Sequence, residues 1–203
     1  AAPHRQPMKV LLVVAHPCHD SYTHSCAAAA LRGLSRAGHT IDTIDLYAVE
    51  FRAQMSREER DAYESEQPIL DAMIDDHAAR LLRADAIVFV YPTWWSGLPA
   101  VLKGWLERVM VPGVGFTLDE RTRKVSPGLG NIRRIVGVST YGSPWTYVKL
   151  MNDNGRRIIT RALRLSCGWR TRTTWLALYA IDTADADERQ RHLERIETRL
   201  AAL

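Results

Sequence analysis

The sequence predicts an α/β protein of three layers, in which helices cover both faces of a doubly wound sheet of five parallel strands. Two observations predict this class. Five apolar runs of strand length alternate along the chain with segments of helical periodicity, which is the pattern of strands joined by right-handed helical crossovers. The first run, "MKVLLVVA", is continuously apolar and β-branched, as expected for a strand that is buried on both faces.

The chain opens with a strand, a helix and a second strand. Residues 8–15 carry the first apolar run. A helix should begin near Ser21 or Thr23, since serine and threonine are good capping residues. It should stop at Gly38, because glycine suits the left-handed position that ends a helix. Residues 39–46 ("HTIDTIDL") then indicate the second strand.

The middle of the chain continues the alternation. Ser56 is a candidate N-cap, and Glu59 follows three residues later, as a capping box requires. The helix that starts here is expected to reach about Arg83. Residues 85–91 indicate the third strand. The next helix covers residues 97–110 and ends at the Pro-Gly pair that follows it.

The last part of the chain completes the sheet. A loop rich in glycine and charge leads to the fourth strand at residues 131–140. A helix near residues 156–165 precedes the fifth strand at residues 171–180, and the final helix covers residues 185–200. No internal repeat is evident.

Length and composition favour one domain. The chain has 203 residues, 46% of them hydrophobic, which suffices for one full core. We expect a flexible tail at residues 1–7 and a single domain at residues 8–203. No apolar run approaches the roughly 20 residues that span a bilayer, and the first residues lack the apolar stretch of a secretory signal. A cytoplasmic protein without membrane insertion is expected.

The cysteines and the charge indicate no further site. Cys18, Cys26 and Cys167 have neither metal-ligand nor CxxC spacing, so we expect reduced thiols and no metal. The net charge of +4 comes mostly from an arginine-rich stretch at residues 155–172. Such a stretch can bind phosphates or form a solvated helix face. Nucleic acid is disfavoured, because helix-turn-helix and zinc-finger spacings are absent.

The ligand crevice of a doubly wound sheet lies outside the carboxyl ends of its strands. The segments "AHPCHDSYTH", "YPTWWSG" and "STYGSPWTY" follow the first, third and fourth strands, so we expect them to converge. In the first segment the helix start at Ser21 offers an anion site or is a plain cap. His16 is either structural or a donor to a phosphate. A GxGxxG motif is absent, which disfavours a Rossmann dehydrogenase.

The tryptophan pair in "YPTWWSG" needs an explanation of its own. Adjacent residues on a strand or helix point in different directions, so one core face cannot easily bury both Trp94 and Trp95. An aromatic wall suits a flat ligand ring, because offset stacking adds roughly 0.5–1.5 kcal/mol per pair. Alternatively, at least one of the two packs into the core or a dimer contact. Trp105, inside a helix, is expected in the core.

These segments resemble the NAD(P)H:quinone oxidoreductases of flavodoxin-like fold, the DT-diaphorase family and its bacterial relatives. The resemblance covers the chain from residue 8 to about residue 201. Its most specific part is the pattern Pro-x-x-Trp-x-x-x-Pro-x-x-x-Lys-Gly-Trp, which is met by Pro92, Trp95, Pro99, Lys103, Gly104 and Trp105.

The resemblance implies a set of flavin-binding residues. The flavin pyrophosphate would lie at His16, Ser21, Tyr22 and Thr23. The ring would be lined by Pro92, Thr93, Trp94, Trp95 and Ser96. Its pyrimidine edge would meet the backbone of Thr140, Tyr141 and Gly142, where the family often has Thr-Thr-Gly-Gly. Arg189 falls where a family arginine reaches the adenosine half of FAD, and it is otherwise a solvated helix residue.

One further position concerns proton transfer. Mammalian members of the family carry a tyrosine and then a histidine in the segment after the fourth strand. Tyr147 matches the tyrosine and is the candidate catalytic residue. Asp153 stands at the place of the histidine, so that role lacks its usual residue.

The function implied is transfer of a hydride from NAD(P)H through a bound flavin to a quinone or a similar small electrophilic acceptor, by a ping-pong mechanism. FAD is the expected cofactor, with FMN as the alternative and NAD(P)H as co-substrate. The arginines at residues 156–172, or Arg121, Arg123 and Lys124, favour NADPH, since arginine recognises a 2′-phosphate well. A homodimer is also implied, and the aromatic residues expected near the site fit such an interface: Trp94, Trp95, Phe116, Trp145 and Tyr147.

Two other functions share this fold. A flavodoxin-like electron carrier is usually acidic and short, and it has no use for a tryptophan-rich substrate wall. A regulatory ancillary flavoprotein of a potassium-efflux system is the stronger alternative, because relatives of the family have that role. Repeated turnover of NAD(P)H with a quinone would separate the enzyme from both.

Overall fold

The computed structural model describes residues 6–119, 121–122 and 124–203. In chain order its strands are β1 Lys9–Val14, β2 Thr40–Asp45, β3 Ala86–Pro92, β4 Phe116–Leu118, β5 Val125–Pro127, β6 Arg134–Thr140 and β7 Arg172–Leu178. Five of them form one parallel sheet in the order β2-β1-β3-β6-β7. This confirms the predicted α/β architecture of five parallel strands.

Helices connect these strands. They are α1 Tyr22–Arg36, α2 Arg57–Ala62, α3 Ala72–Arg83, α4 Ala100–Val109, α5 Trp145–Leu150, α6 Asn154–Arg157, a π-helical turn Ile158–Ala162, α7 Leu163–Cys167 and α8 Ala186–Ala201. Across the described part of the chain, no helix has the length and apolar character that crossing a bilayer requires.

The predicted helix from Ser56 to about Arg83 was wrong, because the structure has two helices there. α2 does begin with the capping box, in which Ser56 Oγ accepts from the Glu59 N–H and Glu59 accepts from the Ser56 N–H. Pro68 lies in the segment between the helices, where its lack of an N–H and its steric demands oppose helix. Asp71 then caps α3 by accepting from the Met73 N–H at 2.8 Å.

Two further segments differ from the prediction. The charged loop after α4 contains an antiparallel hairpin, β4 paired with β5. The helix expected at residues 156–165 begins at Asn154 and continues to Cys167 through the π-helical turn, and α5 precedes it. Short helices of this kind carry little periodic signal, since one or two turns hold too few residues to show a face.

The core lies on both faces of the sheet. Successive residues of β1 alternate between two apolar clusters, with Leu11 in one and Leu12 in the other, as the strand period of two requires. Trp105 is fully buried, as predicted, and its Nε1 donates to His77 Nδ1 at 3.3 Å. A Cβ on Gly104 would lie 2.2 Å from Ala53 O, so the glycine lets α4 approach that backbone.

Candidate functional site

The three predicted segments meet at the carboxyl ends of the strands. β1 and β3 are neighbours where the strand order reverses, and the ring centroids of His16 and Trp94 are 5.7 Å apart across that junction. The segment after β3 is tied to β6, because the Thr93 N–H donates to Thr140 O at 2.8 Å. Thr93 Oγ1 also lies 2.9 Å from Ser139 Oγ. The expectation that the segments converge is therefore confirmed.

A cavity of about 300 Å³ opens at the ends of β3 and β6. It is lined by Thr93, Trp95, Ser96, Tyr141, Gly142, Ser143, Tyr147, Val148, Met151 and Asp153. Six of these were candidate site residues from the sequence. Ser143, Val148 and Met151 were missed, since α5, which carries or adjoins them, was not predicted. The other candidates are not among the residues that line this cavity.

The tryptophan pair sits in a tight turn. The Trp94 N–H donates to Gly97 O and the Gly97 N–H to Trp94 O. Trp95 and Ser96 between them have φ of 50° and 59°, as in a type I′ turn. A bulky residue in this region is strained. Trp95 is fully exposed at the cavity and Trp94 is partly exposed, so neither ring is buried in the core.

Four backbone N–H groups in the cavity wall are available to a ligand. They belong to Trp95, Ser96, Gly142 and Ser143, and none of them has an acceptor within the residues that the structure describes. The turn is held in place by α6, because a Cβ on Gly155 would lie 3.2 Å from the Gly97 carbonyl carbon. Unpaired backbone N–H donors of this kind suit a ligand with carbonyl oxygens or negative charge along one edge.

Tyr141 and Asp153 form a buried pair in the cavity floor. The Tyr141 hydroxyl donates to Asp153 Oδ1 at 2.9 Å, and the two residues are 3% and 7% exposed. Burial, reinforced by the Asp153 carboxylate, raises the pKa of Tyr141, so the phenol stays protonated. Asp153 Oδ2 is buried without a hydrogen-bond partner among the described residues; the nearest cation is Arg156 Nη1, at 3.8 Å.

The start of α1 is built as a helix cap. Ser21 Oγ accepts from the His24 N–H at 3.4 Å, and the Cys18 N–H donates to His16 Nδ1 at 3.1 Å. Thr23 is buried. The Tyr22 hydroxyl donates to Arg189 O at 2.8 Å, so the Tyr22 side chain joins α1 to α8.

Two other candidate residues lie on either side of the site. Tyr147, on α5, is half exposed and lines the cavity. Arg189 lies in the first turns of α8, and its Nη2 donates to Ile181 O at 3.1 Å. Tyr22 therefore links Arg189 to the start of α1.

Three of the six arginines in the arginine-rich stretch lie away from the cavity. Arg164, Arg170 and Arg172 line a groove at the amino ends of β6 and β7, together with Arg133 and Arg134. The cavity is at the opposite ends of these strands, which are seven residues long and so separate the two by about 20 Å. These three arginines cannot serve as a phosphate clamp at the cavity. Arg123 lies outside the described residues.

A family model described as flavodoxin-like fold matches residues 8–202. NAD(P)H dehydrogenase [quinone] 1 of Rattus norvegicus is 30% identical over 154 residues, which are 68% of this chain and 56% of that protein. A ribosyldihydronicotinamide dehydrogenase-like protein of Penicillium crustosum is 31% identical over 131 residues, 58% of this chain and 49% of that protein. The chain spans about half the length of these curated relatives.

Solved structures resemble the chain over nearly its whole length. An NAD(P)H:quinone oxidoreductase from Methanothermobacter marburgensis has a TM-score of 0.82 at 27% identity, covering 97% of this chain and 98% of that one. Smu.1420 from Streptococcus mutans has a TM-score of 0.82 at 25% identity, covering 97% and 100%.

Proposed function

The chain belongs to the flavodoxin-like fold family, and from this premise we propose that it is a flavin-dependent NAD(P)H oxidoreductase that reduces a quinone or a similar small electrophilic acceptor. The observation that carries the proposal is the cavity at the ends of β3 and β6. It combines an exposed aromatic ring with residues whose backbone N–H groups are unpaired. The relatives named as quinone oxidoreductases support the substrate class.

The cavity fits a flavin ring. Trp95 and Tyr147 offer flat apolar surface, and the N–H groups of Trp95, Ser96, Gly142 and Ser143 match a polar ring edge. When bound, the flavin would supply the two-electron chemistry. The pyrophosphate would lie at the start of α1, near His16 and Ser21, where the helix dipole favours an anion. Pro92, Thr93 and Thr140 position the turn and its neighbouring strand end.

The residues of the chain would act by positioning and by hydrogen bonding. Tyr141, kept protonated by burial and by Asp153, presents its backbone at the cavity wall. Tyr147 is the residue proposed to donate a proton to the acceptor, because its phenol lines the cavity and is partly exposed. Trp95 would cover the ring and limit water at the reacting face.

The test is steady-state turnover. Purified protein loaded with flavin should oxidise NADH or NADPH many times per chain when menadione is present. Since the two substrates would use one cavity in turn, double-reciprocal plots at several menadione concentrations should be parallel. Absence of turnover in the flavin-loaded protein would contradict the proposal and leave the regulatory role in a potassium-efflux system as the alternative.

FAD is proposed over FMN. The support is the position of Arg189, whose backbone is bound by Tyr22 at the start of α1, next to the proposed pyrophosphate position. Mass spectrometry of the cofactor released on denaturation decides between the two masses. Release of FMN alone would overturn this choice while leaving flavin dependence intact.

NADPH is proposed as the preferred donor. Arg156, in the basic stretch, lies 3.8 Å from Asp153 Oδ2, and Asp153 lines the cavity. Arg156→Ala should lower kcat/KM for NADPH while sparing NADH. Arg170→Ala, at the far end of the strands, is the matched control and should change neither. Equal efficiencies with the two donors in the wild type would discard the preference.

A further inference from the structure

Two histidines and a carboxylate meet at the carboxyl ends of β1 and β2. His19 Nδ1 and His24 Nε2 each lie 3.9 Å from Asp45 Oδ2. One ligand atom from each of the three residues lies within 4.8 Å of the other two. His19 belongs to the loop after β1, His24 to the first turn of α1, and Asp45 ends β2. Their positions along the chain form no metal motif, so the sequence predicted no metal site.

The backbone orients the carboxylate toward the two rings. Asp45 Oδ1 accepts from the Tyr47 and Ala48 N–H groups at 3.1 and 3.2 Å, which leaves Oδ2 facing the histidines. Hydrogen bonds of this kind orient metal ligands in known sites. The side chains of His24 and Asp45 are mostly buried, 17% and 19% exposed, whereas that of His19 is 70% exposed. His19 is therefore free to move toward the other two.

The separations suit an ion better than direct pairing. At 3.9 Å neither histidine is hydrogen-bonded to Asp45. Zn²⁺ binds histidine nitrogen and carboxylate oxygen at about 2.0–2.2 Å, so ligand atoms around it lie about 3–3.5 Å apart. A small rotation of the exposed His19 ring would reach that spacing. His24 Nε2 is also 3.2 Å from His16 O, and the metal would compete with that contact.

We propose that His19, His24 and Asp45 form a binding site for a divalent transition-metal ion of the zinc class. Two imidazole nitrogens with one carboxylate select Zn²⁺, Ni²⁺ or Cu²⁺ over Mg²⁺ and Ca²⁺, which prefer oxygen ligands only. Three protein ligands leave a position for water. The ion would link the loop after β1 to the end of β2. The argument for this site does not rest on the proposed redox function.

The test is isothermal titration calorimetry of the EDTA-treated, dialysed full-length protein with ZnCl₂, NiCl₂ and MgCl₂. One Zn²⁺ and one Ni²⁺ per chain should bind, and Mg²⁺ should not. His19→Gln and Asp45→Asn should each weaken Zn²⁺ binding at least tenfold. His19→Gln is the safer variant, because His19 is exposed and its loss should leave the thermal midpoint of the metal-free protein unchanged.

Cys18→Ser is the matched control, since Cys18 adjoins His19 and carries an exposed thiol, a group that serves as a zinc ligand in other proteins. It should leave the Zn²⁺ affinity unchanged. The proposal is overturned if Zn²⁺ does not bind, if His19→Gln and Asp45→Asn bind it as the wild type does, or if Cys18→Ser abolishes binding. Because heat of metal binding is the readout, the result does not depend on whether the protein turns over NAD(P)H.

Discussion

Trp95 combines backbone strain with full exposure. Its φ of 50° lies in the left-handed region, which costs a bulky residue on the order of 1–3 kcal/mol. The ring buries no surface in return, since it is fully exposed. Backbone strain that packing does not offset is concentrated at functional sites. The strain at Trp95 is therefore consistent with a ring that contacts a ligand.

Replacing Trp95 with asparagine should therefore stabilise the flavin-free protein while weakening its retention of flavin. Asparagine tolerates positive φ, and relief of about 1 kcal/mol should raise the midpoint of thermal unfolding by roughly 2–4 °C. Differential scanning calorimetry checks the first effect and equilibrium dialysis with flavin the second. Trp169→Asn, at another exposed tryptophan, should do neither. A lower midpoint for Trp95→Asn would show that the strain has been misjudged.

Asp153 places a buried negative charge at the cavity. Its φ of 46° is one that asparagine also accepts, so Asp153→Asn should fold. Removing the charge should stabilise the electron-rich, reduced form of a bound flavin. The reduction potential of the flavin should then rise by some tens of millivolts, about 30 mV for each 1.4 kcal/mol by which the reduced form is stabilised. Spectroelectrochemistry measures this shift. Tyr147→Phe, which changes no charge, is the comparison, and an unchanged or lower potential for Asp153→Asn would refute the argument.

At the scale of elements, buried polar groups lie in the contact between α1 and α8. The Tyr22 hydroxyl lies 3.0 Å from His192 Nδ1, and Cys26 Sγ lies 4.0 Å from the same nitrogen. His192 is 3% exposed. Burial, with a smaller effect of Arg195, lowers the pKa of His192 to about 4, so the imidazole is neutral in the folded protein.

This burial makes stability depend on pH. The unfolded chain takes up a proton on His192 near pH 6.5, whereas the folded protein does so only near pH 4. The contribution of the neutral imidazole to the free energy of unfolding is therefore complete above pH 6.5. As the pH falls from 6.5 to 4, the free energy of unfolding decreases by on the order of 3 kcal/mol. In His192→Gln the free energy of unfolding, measured with urea, should depend less on pH over this range. A slope in His192→Gln equal to that of the wild type would contradict the assignment.

The closeness of α4 to the segment before α2 depends on Gly104. A Cβ there would overlap Ala53 O, at 2.2 Å, and backbone cannot rotate away as a side chain can. Gly104→Ala should lower the free energy of unfolding by at least about 2 kcal/mol. Gly130→Ala, where nothing lies within 4 Å of the new Cβ, is the control. Equal urea midpoints for the two variants would rule out the steric explanation.

At the scale of the whole molecule, large apolar side chains are exposed around the cavity. The turn and α5 contribute Trp94, Trp95, Trp145, Tyr147, Leu150 and Met151, of which Leu150 is 82% exposed. Exposed large apolar side chains that cluster in this way mark an interface or a binding site. Phe116, expected in the same cluster, is only partly exposed.

We propose that this surface joins two copies of the chain, as the family resemblance implies. Light scattering at micromolar concentration should then give twice the monomer mass of 23.0 kDa. Leu150→Lys should shift the protein toward monomer, because a charge would be buried at the interface. Leu165→Lys, at an equally exposed leucine on α7, should leave the mass unchanged. A wild-type monomer would exclude the dimer.

The sequence by itself determined the five strands of the main sheet, their alternation with helices and most helix ends, because these depend on local periodicity and capping. Ser56 and Glu59 predicted a capping box that the structure contains, and the carboxyl-end rule located the segments that meet at the cavity. The sequence did not reveal the break between α2 and α3 at Pro68, or the short helix α5. Over so few residues, local helix propensity competes with tertiary contacts.

Only the tertiary structure decided which distant side chains share a space. Tyr141 and Asp153 meet because the chain after β6 turns back over the cavity in a left-handed conformation. His24 and Asp45 meet because β1 and β2 are parallel neighbours whose carboxyl ends coincide. Arg172 lies at the far side of the sheet because a seven-residue strand carries the chain about 20 Å. Sequence distance says nothing of these separations, since the sheet brings remote residues together and holds near ones apart.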